Sequence, residues 1–168
     1  MSDQRLSWII KKELAGGGAF IDEGIHAADF LIWMLGEPVS IQAFIPESKN
    51  GFEVEEEGVA IIRFKNNVFA TMQSSWTFAA ATNTTEIYGR EGTIIQQFND
   101  CASTQVNGES NFSVQIYSNK SEMAGWQYPR VPSVFKNIHA EVAKTFINCL
   151  LTGDEFPSGI QEGKAALN

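Results

Sequence analysis

Gly16-Gly17-Gly18-Ala19-Phe20-Ile21-Asp22-Glu23-Gly24-Ile25-His26-Ala27-Ala28-Asp29 is the stretch on which the reading of this chain turns. A glycine run leads into a segment with helical spacing: Ile25, Ala28, Ile32 and Leu35 recur on one side, and Gly36 followed by Pro38 is a strong stop. The spacing predicts a helix over about 22–35. At about 100° per residue, Asp22, His26 and Asp29 fall within roughly 60° of one another around it. Two carboxylates and an imidazole therefore share a face, beside a backbone without Cβ atoms that a ligand can approach closely.

Downstream the period changes from helix to strand. Val39–Ile45 and Val59–Phe64 are β-rich, and Lys65-Asn66-Asn67 predicts a hairpin into Val68–Phe78. In that second strand Val68, Ala70, Met72, Trp76 and Phe78 alternate with Thr71, Gln73, Ser75 and Thr77, which predicts one buried and one wetter face. Glu86–Gly89 and Thr93–Phe98 flank a tight turn at Arg90-Glu91-Gly92, and Phe112–Tyr117 follows a turn at Asn107-Gly108. Residues 134–151 return to helical period, with Phe135, Ile138, Val142, Phe146 and Leu150 in one stripe, and Gln161–Leu167 begins a last helix. The fold class is α+β: an open, mostly antiparallel β-sheet with helices covering one face. Val39–Ile45 and Ile61-Ile62 are apolar on both sides, so the uncovered face predicts a homodimer or tetramer through the sheet. Residues 1–15 form a lead-in segment without a clean period, and 16–168 form the domain.

The chain has 168 residues, 43% hydrophobic and 19% charged, which suits one well-packed domain. A net charge of -8 with no basic stripe argues against nucleic acid as a partner. No run approaches the ~18 apolar residues of a membrane helix, and the start of the chain has no apolar signal region. Cys101 and Cys149 lack metal or redox spacing and read as free thiols, so the expected location is cytoplasmic. There is no Gly-x-Gly-x-x-Gly between a strand and a helix, no Walker sequence, no Gly-x-Ser-x-Gly and no His-Glu-x-x-His.

Residues 16–36, from the glycine run through Asp22-Glu23-Gly24-Ile25-His26-Ala27-Ala28-Asp29 to Leu35-Gly36, resemble the opening of the second domain of the Gfo/Idh/MocA oxidoreductases, which include glucose–fructose oxidoreductase and inositol dehydrogenase. Gly89-Arg90-Glu91-Gly92-Thr93-Ile94, and Glu141–Gly153 followed by Phe156-Pro157, carry weaker echoes, so the resemblance covers roughly residues 16–167. It implies a substrate-binding and oligomerisation domain of an NAD(P)-dependent oxidoreductase acting on CH–OH groups of sugars or polyols. It also implies a preceding dinucleotide-binding domain and a Glu-Lys-Pro motif, neither of which is in this sequence. The chain therefore reads as a fragment, inactive by itself. NAD or NADP belongs to the full-length protein, and no cofactor is expected on this chain alone. The alternative is a non-catalytic dimerisation or ligand-sensing module derived from the same fold.

The resemblance makes His26 the catalytic acid/base, since an imidazole exchanges protons near neutrality; the plain alternative is a histidine satisfied in the core. Asp22 would orient the imidazole or bind a substrate hydroxyl, or serve as a helix N-cap. Asp29 reads as a structural hydrogen-bonding group. Gly17 and Gly18 would let the backbone approach a nicotinamide or the substrate, or act as a loop-to-helix hinge. A metal held by Asp22, His26 and Asp29 is disfavoured, since His139 is the only other histidine and the carboxylates would crowd one helix. Trp33 and Trp76 read as core residues rather than ligand platforms, His139 as a surface residue, and Glu55–Glu57 as a solvated strand edge.

Overall fold

The computed structural model describes residues 7–79, 83–98, 112–120, 122, 124–129 and 138–167. They belong to two compact units, one built from Met1–Phe78 with Asp154–Asn168 and the other from Ala79–Gly153.

The first unit opens with a short helix, α1 (Lys12–Ala15), followed by the glycine run. The helix predicted over 22–35 starts earlier and in another form. Phe20–Gly24 is a π-helical turn, which continues into α2 (Ile25–Leu35). Gly36 ends α2 at φ +84°, donating its N–H to Ile32 O at 2.8 Å. Three antiparallel strands follow in the order β1 (Pro38–Phe44), β2 (Glu57–Phe64), β3 (Phe69–Ser75). The predicted hairpin turn is present. Asn67 takes a left-handed φ of 63°, and Asn66 Oδ1 accepts from Val68 N at 3.1 Å, the two roles asparagine fills most readily in a three-residue loop. α4 (Ile160–Leu167) packs beside α2.

Burial alternates strictly along β2. Gly58, Ala60, Ile62 and Phe64 are buried, while Val59, Ile61 and Arg63 are exposed. The register places Ile62 opposite Ile41 and Ala70, and Ala60 opposite Ala43 and Met72, on the same face. That face meets the helix start: a Cβ on Gly58 would lie 2.6 Å from the Phe20 ring. The apolar run read as two-sided thus divides, with Ile62 and Phe64 turned inward and Ile61 outward and 51% exposed. β3 is shorter than the predicted Val68–Phe78. Val68 and Phe78 are exposed, and the inward positions are Ala70, Met72 and Ser74.

The second unit is a meander of four antiparallel strands, β4 (Asn83–Tyr88), β5 (Gly92–Phe98), β6 (Phe112–Ser118) and β7 (Gly125–Gln127). Its first turn is the predicted one, with Gly89 N bonded to Gly92 O at 2.8 Å. Gly92 must be glycine, because a Cβ there would lie 2.2 Å from Tyr117 O on the neighbouring strand. The three-residue β7 carries too little pattern to be seen in sequence; it is placed by Trp126, whose ring lies 5.5 Å from that of Tyr117. α3 (Ile138–Thr152) also belongs to this unit, and Val142, Phe146 and Leu150 of its apolar stripe are exposed. Cys149 on α3 is half-buried and in no disulfide among the described residues. The Asn107-Gly108 turn, Phe135 and Cys101 lie outside the described residues. Antiparallel open sheets with helices are the expected α+β fold. No described helix is long and apolar enough to cross a membrane.

Candidate active site

The helix start is fastened to the hairpin by bonds from three directions. Ala19, with no exposed surface, donates its N–H to Glu55 O at 2.9 Å and accepts from Ser74 Oγ at 2.9 Å. Phe20 N donates to Glu55 Oε1 at 3.1 Å. The side chain of Asp22 accepts from Trp76 Nε1 at 3.0 Å. Glu55 therefore fills the capping role that the sequence offered to Asp22. A carboxylate at the first free amides of a helix satisfies orphan donors and complements the helix dipole.

The glycine run is shaped by the same contact. A Cβ on Gly18 would lie 1.9 Å from Glu55 O, and one on Gly17 would lie 2.4 Å from Ile21 Cγ1. These glycines have a packing reason: the space beside them is filled by protein. The amides a pyrophosphate would need at a helix N-terminus are those of Ala19 and Phe20, and Glu55 already accepts from both. The residues present do not fit a dinucleotide phosphate at this helix.

Glu55–Glu57, read from sequence as a solvated edge, is mostly nothing of the kind. Glu56 is 5% exposed and accepts from Ser48 Oγ at 2.8 Å, Asn50 Nδ2 at 2.9 Å and Asn50 N at 3.2 Å. Its carbonyl accepts from Trp76 N at 2.9 Å. A buried carboxylate has to be hydrogen-bonded, and here the 48–50 loop supplies the donors. Only Glu57, bonded to Thr77 Oγ1 at 3.3 Å, resembles a surface group. No local pattern marks Glu55 or Ser74 as partners of residues 35 and 55 positions away.

Past the π turn, the side chains in the middle of α2 make no hydrogen bond among the described residues. His26 and Asp29 are exposed on α2, and neither side chain makes a hydrogen bond among the described residues, so Asp29 does not play the structural bonding role expected of it. No hydrogen bond joins the side chains of Asp22 and His26; the Asp22 carboxylate accepts from Trp76 instead. His26 is thus not a satisfied core histidine but an open imidazole on a braced helix. No group of three His, Cys, Asp or Glu side chains among the described residues could hold a metal ion. Trp33, read as core, is 77% exposed; it follows His26 by two helical turns and shares its side of α2. His139 is exposed on α3, as expected of a surface residue. A depression of about 280 Å³ beside the glycine run is lined by Lys12, Gly17, Pro46, Ser48, Phe52 and Glu53, among others.

The chain spans under a third of the length of the curated relatives it matches. A 1,5-anhydro-D-fructose reductase of Ensifer adhaerens is 32% identical over 90 residues, covering 52% of this chain and 27% of the relative. A levoglucosan dehydrogenase of Pseudarthrobacter phenanthrenivorans is 28% identical over 115 residues, covering 54% and 30%. Among solved structures, an aldose-aldose oxidoreductase from Caulobacter crescentus complexed with glycerol superposes with a TM-score of 0.77 at 22% identity. That match covers 95% of this chain and 45% of the other. A levoglucosan dehydrogenase in complex with NADH and levoglucosan superposes at 0.73 with 20% identity, over 96% and 49%. These relatives are sugar oxidoreductases, and the structural likenesses establish the fold. The family model described as the GFO/IDH/MocA C-terminal domain matches residues 1–95, more than half of the chain. This chain therefore belongs to the GFO/IDH/MocA C-terminal domain family.

Proposed function

We propose that this chain is the substrate-binding and oligomerisation domain of a cytoplasmic NAD(P)-dependent oxidoreductase acting on a CH–OH group of a sugar or polyol. The observation that carries the reading is His26: exposed, its side chain without a hydrogen bond among the described residues, two residues past a π turn whose start is held by Glu55, Ser74 and Trp76. π-helical turns are uncommon and frequently mark functional sites. An imidazole in that position can take the proton of a substrate hydroxyl, or return it in the reverse direction, without first breaking a protein hydrogen bond. Asp22, on the same helical segment, offers an acceptor to a second substrate hydroxyl.

The redox half of the reaction is that of NAD or NADP, held by a domain other than this one. Glu55 at the helix start supports that division, since its carboxylate would repel a pyrophosphate there. Titration calorimetry of NADH or NADPH into residues 1–168 should give no binding, and micromolar affinity would overturn the division. Assembly runs through the outward face of β1–β3, where Phe44, Ile61 and Phe69 are exposed. A monodisperse monomer by light scattering would remove that part. The decisive experiment is His26→Ala in the full-length enzyme. Turnover should fall about 10²–10⁴-fold, as for loss of a general base, with a much smaller change in KM. Unchanged turnover per folded molecule would end the acid/base assignment.

A further inference from the structure

The geometry points to Trp76 as the positioning residue of this site, acting on the substrate only through Asp22; this rests on the function proposed above. Asp22 sits in an exposed π turn, where a short carboxylate side chain would otherwise exchange rotamers and face water. The indole Nε1–H of Trp76 fixes one of its oxygens at 3.0 Å, from 54 residues further along the chain. The anchor behind the indole is rigid. Trp76 N donates to Glu56 O, and the Glu56 side chain is buried under three donors from Ser48 and Asn50. The line of support therefore runs from the 48–50 loop through Glu56 and Trp76 to Asp22.

The choice of donor matters chemically. An indole N–H donates and cannot accept, so it commits the bonded Asp22 oxygen to the acceptor role. It is also neutral. A lysine or arginine in its place would offset the carboxylate charge, whereas the indole leaves that charge available to a substrate hydroxyl. With that oxygen bonded to Trp76, no side-chain hydrogen bond joins Asp22 to His26 among the described residues.

Two measurements test this, one of them independent of catalysis. In residues 1–168 labelled with ¹⁵N, Asp22→Ala should move the Trp76 indole proton upfield and speed its exchange with water. His26→Ala should leave that signal in place. An indole signal indifferent to Asp22→Ala would overturn the proposal whatever the enzyme does. In the full-length enzyme, with levoglucosan as the probe substrate, Trp76→Phe keeps a ring and removes the donor. Turnover per folded molecule should fall about tenfold, with KM within about twofold. Folded enzyme is counted by near-ultraviolet circular dichroism, so a purely structural loss would lower the count and leave turnover per molecule unchanged. That outcome, with His26→Ala still inactive, overturns the role of Trp76 alone. If His26→Ala is instead fully active, the proposed function fails, and the role of Trp76 fails with it.

Discussion

The two halves of one helical segment behave differently. From Gly18 to Asp22 four hydrogen bonds tie the segment to Glu55, Ser74 and Trp76, and its backbone fits closely against Glu55. From His26 to Trp33 the exposed side carries polar and aromatic groups with few bonds to the rest of the unit. The contrast teaches where rigidity has been placed. A reactive group needs a fixed origin but free valences, and this helix supplies the first through its start and the second through its middle. Fastening His26 itself would have occupied the atoms that must meet a substrate.

Substitutions at the two halves should therefore separate in stability. The largest loss is expected at Gly18→Ala, where the new Cβ meets backbone rather than a side chain that can swing away. Overpacking of this kind costs up to about 3 kcal/mol, read by urea denaturation of the isolated chain; a wild-type midpoint would mean that the Gly18–Glu55 approach is looser than described. Ser74→Ala comes next. It strips a buried carbonyl of its side-chain donor, with a loss of about 1–3 kcal/mol. If it unfolds at the wild-type midpoint, the fastened half loses its interior tie. His26→Ala should fall within about 0.5 kcal/mol of wild type, as surface changes do. A larger loss in the same assay would erase the contrast between the halves.

The smallest effect belongs to the exposed pair Lys11–Glu53, 2.8 Å apart, which ties the lead-in segment to the loop before β2. The hydrogen bond between them raises the Lys11 pKa, and the same bond holds the Glu53 pKa below its ordinary value. The carboxylate's contribution is present above its unfolded pKa and is lost as pH falls through the lowered folded value. The ammonium's contribution is present below its unfolded pKa and is lost as pH rises through the raised one. Glu53→Gln should flatten a slight acid-side slope in the melting temperature and leave neutral stability nearly unchanged; an unaltered slope would show the pair to be idle.

The fold was legible where local pattern and tertiary structure agree. The β2–β3 hairpin with its Asn67 turn, the Gly36 stop and the Arg90-Glu91-Gly92 turn each follow from the conformational limits of a few neighbouring residues, whereas the inward and outward sides of Ile61-Ile62 did not show in the sequence. That Asp22 and His26 lie about one turn apart on one helical segment was legible from their spacing alone. The partners of the helix start were not. Glu55, Ser74 and Trp76 reach it across 35 to 55 residues, and a run of three glutamates looks the same in sequence whether it meets water or a helix N-terminus. Trp33 misled for a related reason: hydrophobicity reports what a side chain would gain from cover, not whether this unit provides it.

One modest contact sets a limit on how this domain can change length. Asn66 Nδ2, in the β2–β3 turn, donates to Leu35 O at the far end of α2, 3.3 Å away. The hairpin thus grips the helix at both ends, with Glu55, Ser74 and Trp76 at its open end and Asn66 at its closed end. The spans match: Phe20–Leu35 is about 23 Å long at about 1.5 Å per residue, and Glu57–Phe64 is about 24 Å at about 3.4 Å. The hairpin is in effect a gauge for the helix. Two residues inserted into each strand would lengthen it by about 7 Å and would need four or five more in the helix to keep both grips. Insertions are accordingly easiest to accommodate in the second unit, and hardest within Phe20–Leu35 or within β2 and β3.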